Sequence, residues 1–407
     1  MLQALKGWSP VQKKVVLASF LGWMLDAFDF FLLVFVLTDV AKEFGVGRES
    51  VALAITLTLA LRPLGAFVFG RLADRFGRRP ILMFDVGLYS VLGFATAFAP
   101  NLAVFLVLRA LFGVAMGGEW GIGASLTMET VKAESRGLVS GILQSGYPTG
   151  YLIASVVYRQ LYDVIGWRGM FMLSLLPALL VLYIRRHVPE SPGWTPERAR
   201  SSTVFQTLRE HWKLAVYAVV LMTAFNFFSH GTQDLYPTFL RVQHGYDAQT
   251  AGSLAIIYNI GAILGGWTFG IWSQRLGRRR TIVIAALLAI PVTYLWAFST
   301  TFTMLAIGAF LIQFFVQGAW GVIPVHLNEL SPANVRATFP GTVYQLGNLI
   351  ASSNALIQTS IASRHGDNYA SALAGVAVVS AVVIARLTSI GREARDVQMG
   401  AFVIARA

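Results

Sequence analysis

The sequence contains no cysteine and few charged residues. Without a thiol, the chain can form neither a disulfide nor a thiolate metal site, and it cannot use cysteine as a nucleophile. Charged residues make up 13% of the 407 positions, about half of what a soluble protein carries. No two of the histidines in or beside loops have metal-ligand spacing. We therefore expect no soluble enzyme domain, no metal and no cofactor.

Long apolar runs fill most of the chain, since 56% of the residues are hydrophobic. A helix needs about 20 apolar residues to cross a membrane. The runs predict an all-α membrane protein with twelve spans, numbered here in chain order: 15–37, 51–72, 79–98, 101–129, 137–158, 167–186, 212–240, 250–273, 281–299, 302–329, 338–361 and 370–390.

The net charge of +12 has a topological explanation. With both termini inside, 24 of the 32 lysines and arginines lie in cytoplasmic segments, six lie outside and two lie within spans. This is the positive-inside asymmetry of multi-pass proteins, so we expect a lipid bilayer partner and no nucleic acid. The short amino terminus favours the inner membrane of a prokaryote.

The chain repeats itself at an offset of 200 residues. "GRLADRFGRR" at 70–79 matches "GIWSQRLGRR" at 270–279, and further positions between 118 and 141 recur between 318 and 341. An offset of six spans predicts two parallel six-helix halves with a binding site between them near the membrane midplane. We expect a first bundle at 1–186, a cytoplasmic linker at 187–211 and a second bundle at 212–407.

Span one carries two acids within an apolar helix, Asp26 and Asp29. A charged residue at mid-span costs roughly 2.5–3.5 kcal/mol on insertion scales, so a functional role is favoured over a buried structural ion pair. At the 200-residue offset, Asn226 stands opposite Asp26. The first half thus holds a candidate proton site, and the second half a neutral hydrogen-bonding group.

Two arginines are candidate partners for these acids. Arg62 lies in the middle of span two and Arg109 lies in span four, with Glu119 ten residues further along. Those ten residues place Glu119 about 15 Å from Arg109, too far for direct pairing. We predict that Arg62 binds a substrate carboxylate while Arg109 pairs with an acid of span one, although the reverse assignment also fits the sequence.

Span seven carries a polar stripe. Asn226, His230, Gln233 and Pro237 are spaced by four, three and four, with Ser229 and Asp234 at the margins. These groups would be unfavourable against lipid, so they face the bundle interior or a cavity. The alternative is interhelical hydrogen bonding alone. Further neutral candidates are Tyr344, Gln345 and Asn348 in span eleven, Gln313 and Gln317 in span ten, and Gln144 and Tyr147 in span five.

These motifs resemble those of the major facilitator superfamily. "GRLADRFGRR" is similar to the signature loop between its second and third spans, and "RALFGVAMG" from Arg109 is similar to its RxxxGxxxG pattern. The resemblance implies alternating access by rocking of two halves. We expect conformational roles for Asp74, Arg78, Glu129, Arg136, Arg278, Glu329 and Arg336. Gln274 replaces Asp74 in the second loop, which predicts a weaker charge contact there. Gly113, Gly117 and Gly121 predict close helix packing.

A finer resemblance leads to the sialate:proton symporter family, through "GWMLDAFDFF", "RALFGVAMGGEWG" and "VPESPGW". Its Jen-type lactate permeases carry an NxxSHxSQDxxxT signature in span seven, which residues 226–238 match with Thr232 in the Ser/Thr position. The resemblance implies a monomeric proton-coupled symporter of lactate and pyruvate, with Asp26 or Asp29 as proton site and Glu119 and Asp234 in reserve. The alternatives are a sugar-acid symporter, a dicarboxylate or aromatic-acid carrier, and a non-transporting receptor.

Overall fold

The computed structural model describes residues 8–197, 204–366, 368–395 and 397–399, and within these ranges it contains helices and turns but no strand. The all-α prediction is confirmed. Residues 198–203 of the predicted linker lie outside the described residues. The first half contains the α-helices Pro10–Glu43, Arg48–Phe76, Arg78–Thr96, Leu102–Met116, Glu119–Thr130, Arg136–Gln144, Gly146–Met172 and Pro177–His187. The linker contains the helix Val204–Glu210, and the second half contains Trp212–Gln233, Tyr236–Val242, Ala248–Leu276, Arg278–Phe298, Phe302–Trp320, Ile323–Leu330, Thr338–Ala351, Asn354–Arg364 and Tyr369–Ile390.

Nine helical stretches of the described chain are long and apolar enough to cross a membrane. One of them, Ala133–His187, has 55 residues and covers both span five and span six. Gly166, at a φ of 62°, interrupts the helical backbone between these two spans. Span three is the 19-residue helix Arg78–Thr96, and span eleven is divided into helices of 14 and 11 residues. The helices are consistent with twelve spans.

Span seven is interrupted next to the polar stripe. Its first helix ends at Gln233 and its second begins at Tyr236. Pro237, in the first turn of the second helix, has no N–H to donate and would clash with the carbonyl of Gln233 in a continuous helix. Irregular backbone at membrane depth is tolerated where it lines a cavity. The sequence predicted one continuous helix here, and the structure contains two.

The two halves meet closely on the side that carries the loops 70–79 and 270–279, which we call the motif side. A Cβ atom added to Gly141 of span five would lie 2.2 Å from the carbonyl oxygen of Gly266 in span eight. Only glycine allows this approach of two backbones. The halves are therefore closed on the motif side, and the space between them extends from Trp23 towards Phe35, on the opposite side.

Candidate functional site

A cavity of about 370 Å³ lies between the two halves. It is lined from the first half by Arg62, by Gln144, and by aromatic rings of spans one and five, and from the second half by the polar stripe of span seven. The predicted residues that line it are Arg62, Gln144, Tyr147, Asn226, Ser229, His230, Gln233, Asp234, Pro237, Gln317, Tyr344 and Asn348. Those that do not are Asp26, Asp29, Arg109, Glu119, Gln313 and Gln345.

Arg62 and Asp26 form a buried ion pair at the wall of this cavity. The Nη2 atom of Arg62 lies 3.2 Å from Oδ1 of Asp26, and the side chains are 3% and 1% exposed. Gly117 of span four holds the backbone of Arg62 in place, because its Cα packs directly against the Arg62 carbonyl and a Cβ there would be 2.1 Å from that oxygen. The second oxygen of Asp26 has no hydrogen-bond partner within the part of the chain that the structure describes. The Arg62 charge at the cavity wall is thus neutralised by a carboxylate behind it.

Arg109 interacts electrostatically with Asp29, an acid of span one as the sequence predicted, without an ion-pair contact within 4.0 Å among the described residues. The Arg109 guanidinium lies 3.9 Å from the ring centroid of Phe112, and none of its three nitrogens has a hydrogen-bond partner among the described residues. Asp29 also interacts with the Ser174 hydroxyl of span six. Asp26 and Asp29 are separated by about 60° around their helix. Only Asp26 faces span two, where it meets Arg62.

Buried acids also lie behind the cavity, in the core of the first half. Glu119 is 1% exposed, and its Oε1 lies where a side chain on Gly22 of span one would begin. Asp85 of span three is fully buried, and no described residue forms a hydrogen bond with either of its oxygens. Sequence reasoning missed Asp85, although a lone acid in the apolar run "LMFDVGLY" is a signal that could have found it.

The span seven stripe forms the opposite wall. His230 lies between Asp234, 3.1 Å from Nδ1, and Asn348 of span eleven, whose Oδ1 lies 2.9 Å from Nε2. Gln233 donates to Gln313 of span ten at 2.8 Å. The stripe therefore faces the cavity and also forms hydrogen bonds with neighbouring helices, so both interpretations of the sequence apply.

Gln345 has a supporting position. Its Oε1 accepts from Nδ2 of Asn348 at 3.4 Å, and its side chain is 1% exposed outside the cavity lining. In this state it orients Asn348 rather than facing the cavity. Ser229 lines the cavity and accepts from Gln317 at 3.0 Å.

Several cavity residues were not found from the sequence. They are Trp23, Phe30, Phe31, Phe35, Tyr151, Tyr258, Asn259 and Trp320. For Asn259 the signal was an amide in the apolar middle of span eight, one turn before the repeat counterpart of Arg62. The aromatic residues gave no signal of their own, because apolar rings on a membrane helix serve packing equally well.

Asp74 connects the two halves on the motif side. Its carboxylate accepts hydrogen bonds from the backbone N–H groups of Ala337 and Thr338, each at 3.0 Å, and from the Thr338 hydroxyl at 2.6 Å. Within its own half, Asp74 pairs with Arg78, whose Nη2 atom lies 3.1 Å from Oδ1 of Asp74. Asp74 thus combines an ion pair with Arg78 and hydrogen bonds to the start of the helix Thr338–Ala351.

Glu129 and Glu329 anchor two equivalent ion networks. Glu129 receives two hydrogen bonds from Arg78 at 3.2 Å, and Glu329 receives two from Arg278 at 2.9 and 3.0 Å. Across the halves, Arg336 approaches Glu129 to 3.7 Å and Arg136 approaches Glu329 to 3.9 Å. The seven residues expected to act in conformational change thus form two networks on the closed side, each of which joins the two halves.

Gln274 forms the counterpart of the Asp74 contact. Its Oε1 accepts from the backbone N–H of Gly137 at 3.2 Å and from Arg278 at 3.0 Å. Gly137 is the repeat counterpart of Ala337, so both loops contact the same point of the opposite half. The second contact uses a neutral acceptor and forms one backbone bond where Asp74 forms two.

Comparison with known proteins agrees with this architecture. Residues 19–254 match the family model described as Major Facilitator Superfamily, and residues 210–390 match the one described as Sugar (and other) transporter. The chain is similar to the structure of the human organic anion transporter MFSD10, with a TM-score of 0.71 and 17% identity over 92% of this chain and 100% of that one.

Two curated relatives are informative. A carboxylic acid transporter protein homolog of Saccharomyces cerevisiae is 29% identical over 375 residues, which cover 85% of this chain but 61% of that protein's length. The sialic acid transporter NanX of Escherichia coli is 26% identical over 364 residues, covering 88% of this chain and 89% of that protein. On the match to more than half of its length, the chain belongs to the major facilitator superfamily and is a transporter rather than an enzyme.

Proposed function

We propose that this protein is a proton-coupled symporter of small monocarboxylates, with lactate and pyruvate as its first candidates. The halves 1–186 and 212–407 rock about the cavity, and the chain works as a monomer in the plasma membrane, in a prokaryote the inner membrane, with both termini cytoplasmic. The superfamily membership and the name of the yeast relative support an organic acid as substrate.

The buried pair of Arg62 and Asp26 carries this proposal. Arg62 lines the cavity, and a guanidinium can hold a carboxylate through two parallel hydrogen bonds. Asp26 occupies it in the empty protein. When Asp26 takes up a proton, it releases the guanidinium to the substrate carboxylate.

Coupling follows from the energy of the buried charge. Breaking a buried ion pair by removing one partner costs about 3–5 kcal/mol. Arg62 is paired when the protein is empty, by Asp26, and when it carries both proton and substrate anion, by that anion. A substrate anion without the proton, or a proton without the anion, leaves one buried charge unpaired. Only the states in which every buried charge is paired change readily between the inward-open and outward-open forms. One proton and one monocarboxylate therefore cross the membrane together without net charge.

The span seven wall supplies the remaining recognition. His230 and Asn348 are hydrogen-bonded to each other, and Gln233 donates to Gln313, so this wall offers donors and acceptors that are already paired. A hydroxyl or keto group of the substrate would exchange with those bonds, which favours 2-hydroxy and 2-keto acids over plain alkanoates. Asp234 holds His230 at 3.1 Å and acts as a positioning group.

Uptake of labelled lactate into proteoliposomes tests the proposal. Lactate should accumulate when the outside is more acidic. Asp26→Asn fixes the neutral form of the pair, so it should retain lactate exchange between the two sides while losing accumulation driven by the pH gradient. Arg62→Gln should lose both. Asp163→Asn, which removes an exposed acid, is the matched control. Accumulation that ignores the pH gradient would exclude proton coupling, and binding without any uptake would indicate a receptor.

A sugar acid is the second candidate, and the size of the cavity favours it. A volume of about 370 Å³ corresponds to roughly a dozen water molecules, far more than a three-carbon acid fills. The name of the Escherichia coli relative points the same way. In the same liposomes, inhibition of lactate uptake by sialic acid but not by pyruvate would replace lactate with a sugar acid.

A further inference from the structure

The cavity has an aromatic character that lactate does not explain. Nine of its lining side chains are aromatic, and they come from spans one, five, eight, ten and eleven. Phe31 and Tyr151 lie 4.7 Å apart between ring centroids, and Phe31 lies 5.5 Å from Tyr147. Lactate has a single methyl group to set against such a surface.

The rings continue from the first half to the second. Trp23 lies 5.4 Å from Tyr147 and 6.4 Å from Tyr344 of span eleven, and Tyr344 lies 5.5 Å from Trp320. Most of these pairs are tilted or edge-on, the geometry in which aromatic rings attract each other. The nine aromatic side chains of the cavity lining, which we call the cage, present flat faces and edges that suit another flat ring. They are Trp23, Phe30, Phe31, Phe35, Tyr147, Tyr151, Tyr258, Trp320 and Tyr344.

The carboxylate anchor lies at the edge of this cage. The guanidinium carbon of Arg62 is 5.4 Å from the ring centroid of Phe30, which lines the cavity with it. A ligand whose carboxylate takes Arg62 would therefore place its next atoms against aromatic surface. The wall of span seven then faces the far end of that ligand.

We propose that the preferred substrates are planar, conjugated monocarboxylates, of which an aromatic acid such as benzoate is the simplest. This inference rests on the proposed function, because the carboxylate still binds Arg62. It adds the class of the rest of the molecule. A flat ring gains contacts with the faces and edges of the cage that a puckered ring of the same size cannot make.

Benzoate and cyclohexanecarboxylate form the matched probe pair, since they share the carboxylate and the carbon skeleton and differ in planarity. Binding to the purified full-length protein is measured by quenching of tryptophan fluorescence, and transport by inhibition of lactate uptake. Benzoate should bind about tenfold more tightly than cyclohexanecarboxylate, the size of one to two ring contacts. Equal affinity for the two acids would overturn the inference.

Substitutions then test the cage itself. In Phe31→Leu, the ratio of benzoate to cyclohexanecarboxylate affinity should fall about tenfold, to near one, and Phe31→Tyr should restore it. Phe84→Leu, which removes a ring at the lipid-facing surface, should leave the ratio unchanged. An unchanged ratio in Phe31→Leu would assign the selectivity to something other than the cage.

Failure of the proposed function has a different signature. If benzoate binds with the expected preference but no monocarboxylate is transported, the cage is confirmed and symport is excluded. If lactate accumulates with the pH gradient but the two ring acids compete equally, symport is confirmed and the planar preference is excluded.

Discussion

Replacing Asp74 by asparagine should shift the protein out of the state in which its motif side is closed. The Asp74 carboxylate accepts two backbone N–H bonds and one hydroxyl bond from the opposite half. An amide keeps one oxygen acceptor, and its NH₂ group would face a backbone donor. Because hydrogen bonds to a charged group contribute about 1.5–3 kcal/mol each, we expect the closed state to lose about 2–3 kcal/mol relative to the open one, a shift of roughly 30- to 150-fold. Arg78 keeps Glu129 as a partner, so no new buried charge is left unpaired.

Cysteine labelling measures this shift, since the chain has no native thiol to remove. A cysteine at Val34 lies on the open cavity, and one at Ser140 lies buried between the halves, where the serine hydroxyl accepts from Val325. Asp74→Asn should slow labelling at position 34 and speed it at position 140, while Asp163→Asn should change neither. Labelling rates within twofold of the parent at both positions would refute a role for Asp74 in closure.

Two further changes test the contacts on the motif side. Gly141→Ala inserts a Cβ 2.2 Å from a facing carbonyl oxygen, an overpacking that costs about 1–3 kcal/mol, so labelling of the cysteine at position 140 should become faster, as in Asp74→Asn. Gly252→Ala, with open space around it, is the control. Equal labelling rates in the two alanine variants would contradict a role for the Gly141 contact in closure. Arg278→Gln removes two charge-assisted hydrogen bonds from the buried Glu329, which keeps the longer contact with Arg136. The protein should lose about 3–5 kcal/mol of stability, seen as a lower melting temperature in detergent, whereas a similar loss from the exposed neighbour Arg280→Gln would show that burial is not the cause.

The polar face of span seven could be predicted because its pattern is local. Helical spacing alone places Asn226, His230, Gln233 and Pro237 on one stripe, and the high cost of polar groups against lipid turns that stripe inward. The structure has all four on the cavity. The break after Gln233 follows from Pro237 and was predictable in principle from the same stretch.

The choice between the two arginines could not be made from the sequence. Arg62 and Arg109 both lie in helices that are apolar on every side, so no hydrophobic stripe fixes how those helices are rotated. Their rotation is set by contacts with other helices, such as that of Gly117 with the backbone of Arg62. The same reasoning explains why the aromatic cage was not foreseen: whether a ring faces lipid, core or cavity is a tertiary property.

The repeat separates the charges that recur in both halves from those that this arrangement of helices does not require. At the 200-residue offset the core charges of the first half are replaced by neutral residues in the second: Asp26 by Asn226, Asp29 by Ser229, Arg62 by Ala262, Asp85 by Ala285, Arg109 by Ala309 and Glu119 by Ala319. The second half adopts its helices without them, so this arrangement of helices does not need a charge at these positions. On the motif side the pairs Arg78 and Glu129 recur as Arg278 and Glu329.

This contrast divides the two tasks between different parts of the chain. Closing the motif side needs equivalent contacts from both halves, and those contacts are duplicated. Each core charge costs energy to bury, and the first half retains acids at Asp26, Asp29, Asp85 and Glu119 that a neutral residue could replace without changing the fold. Under the proposed coupling, one of these acids takes up the proton and acts on a single substrate anchor, Arg62. The second half, with Asn226 and small neutral residues in the equivalent places, would then recognise the neutral part of the substrate.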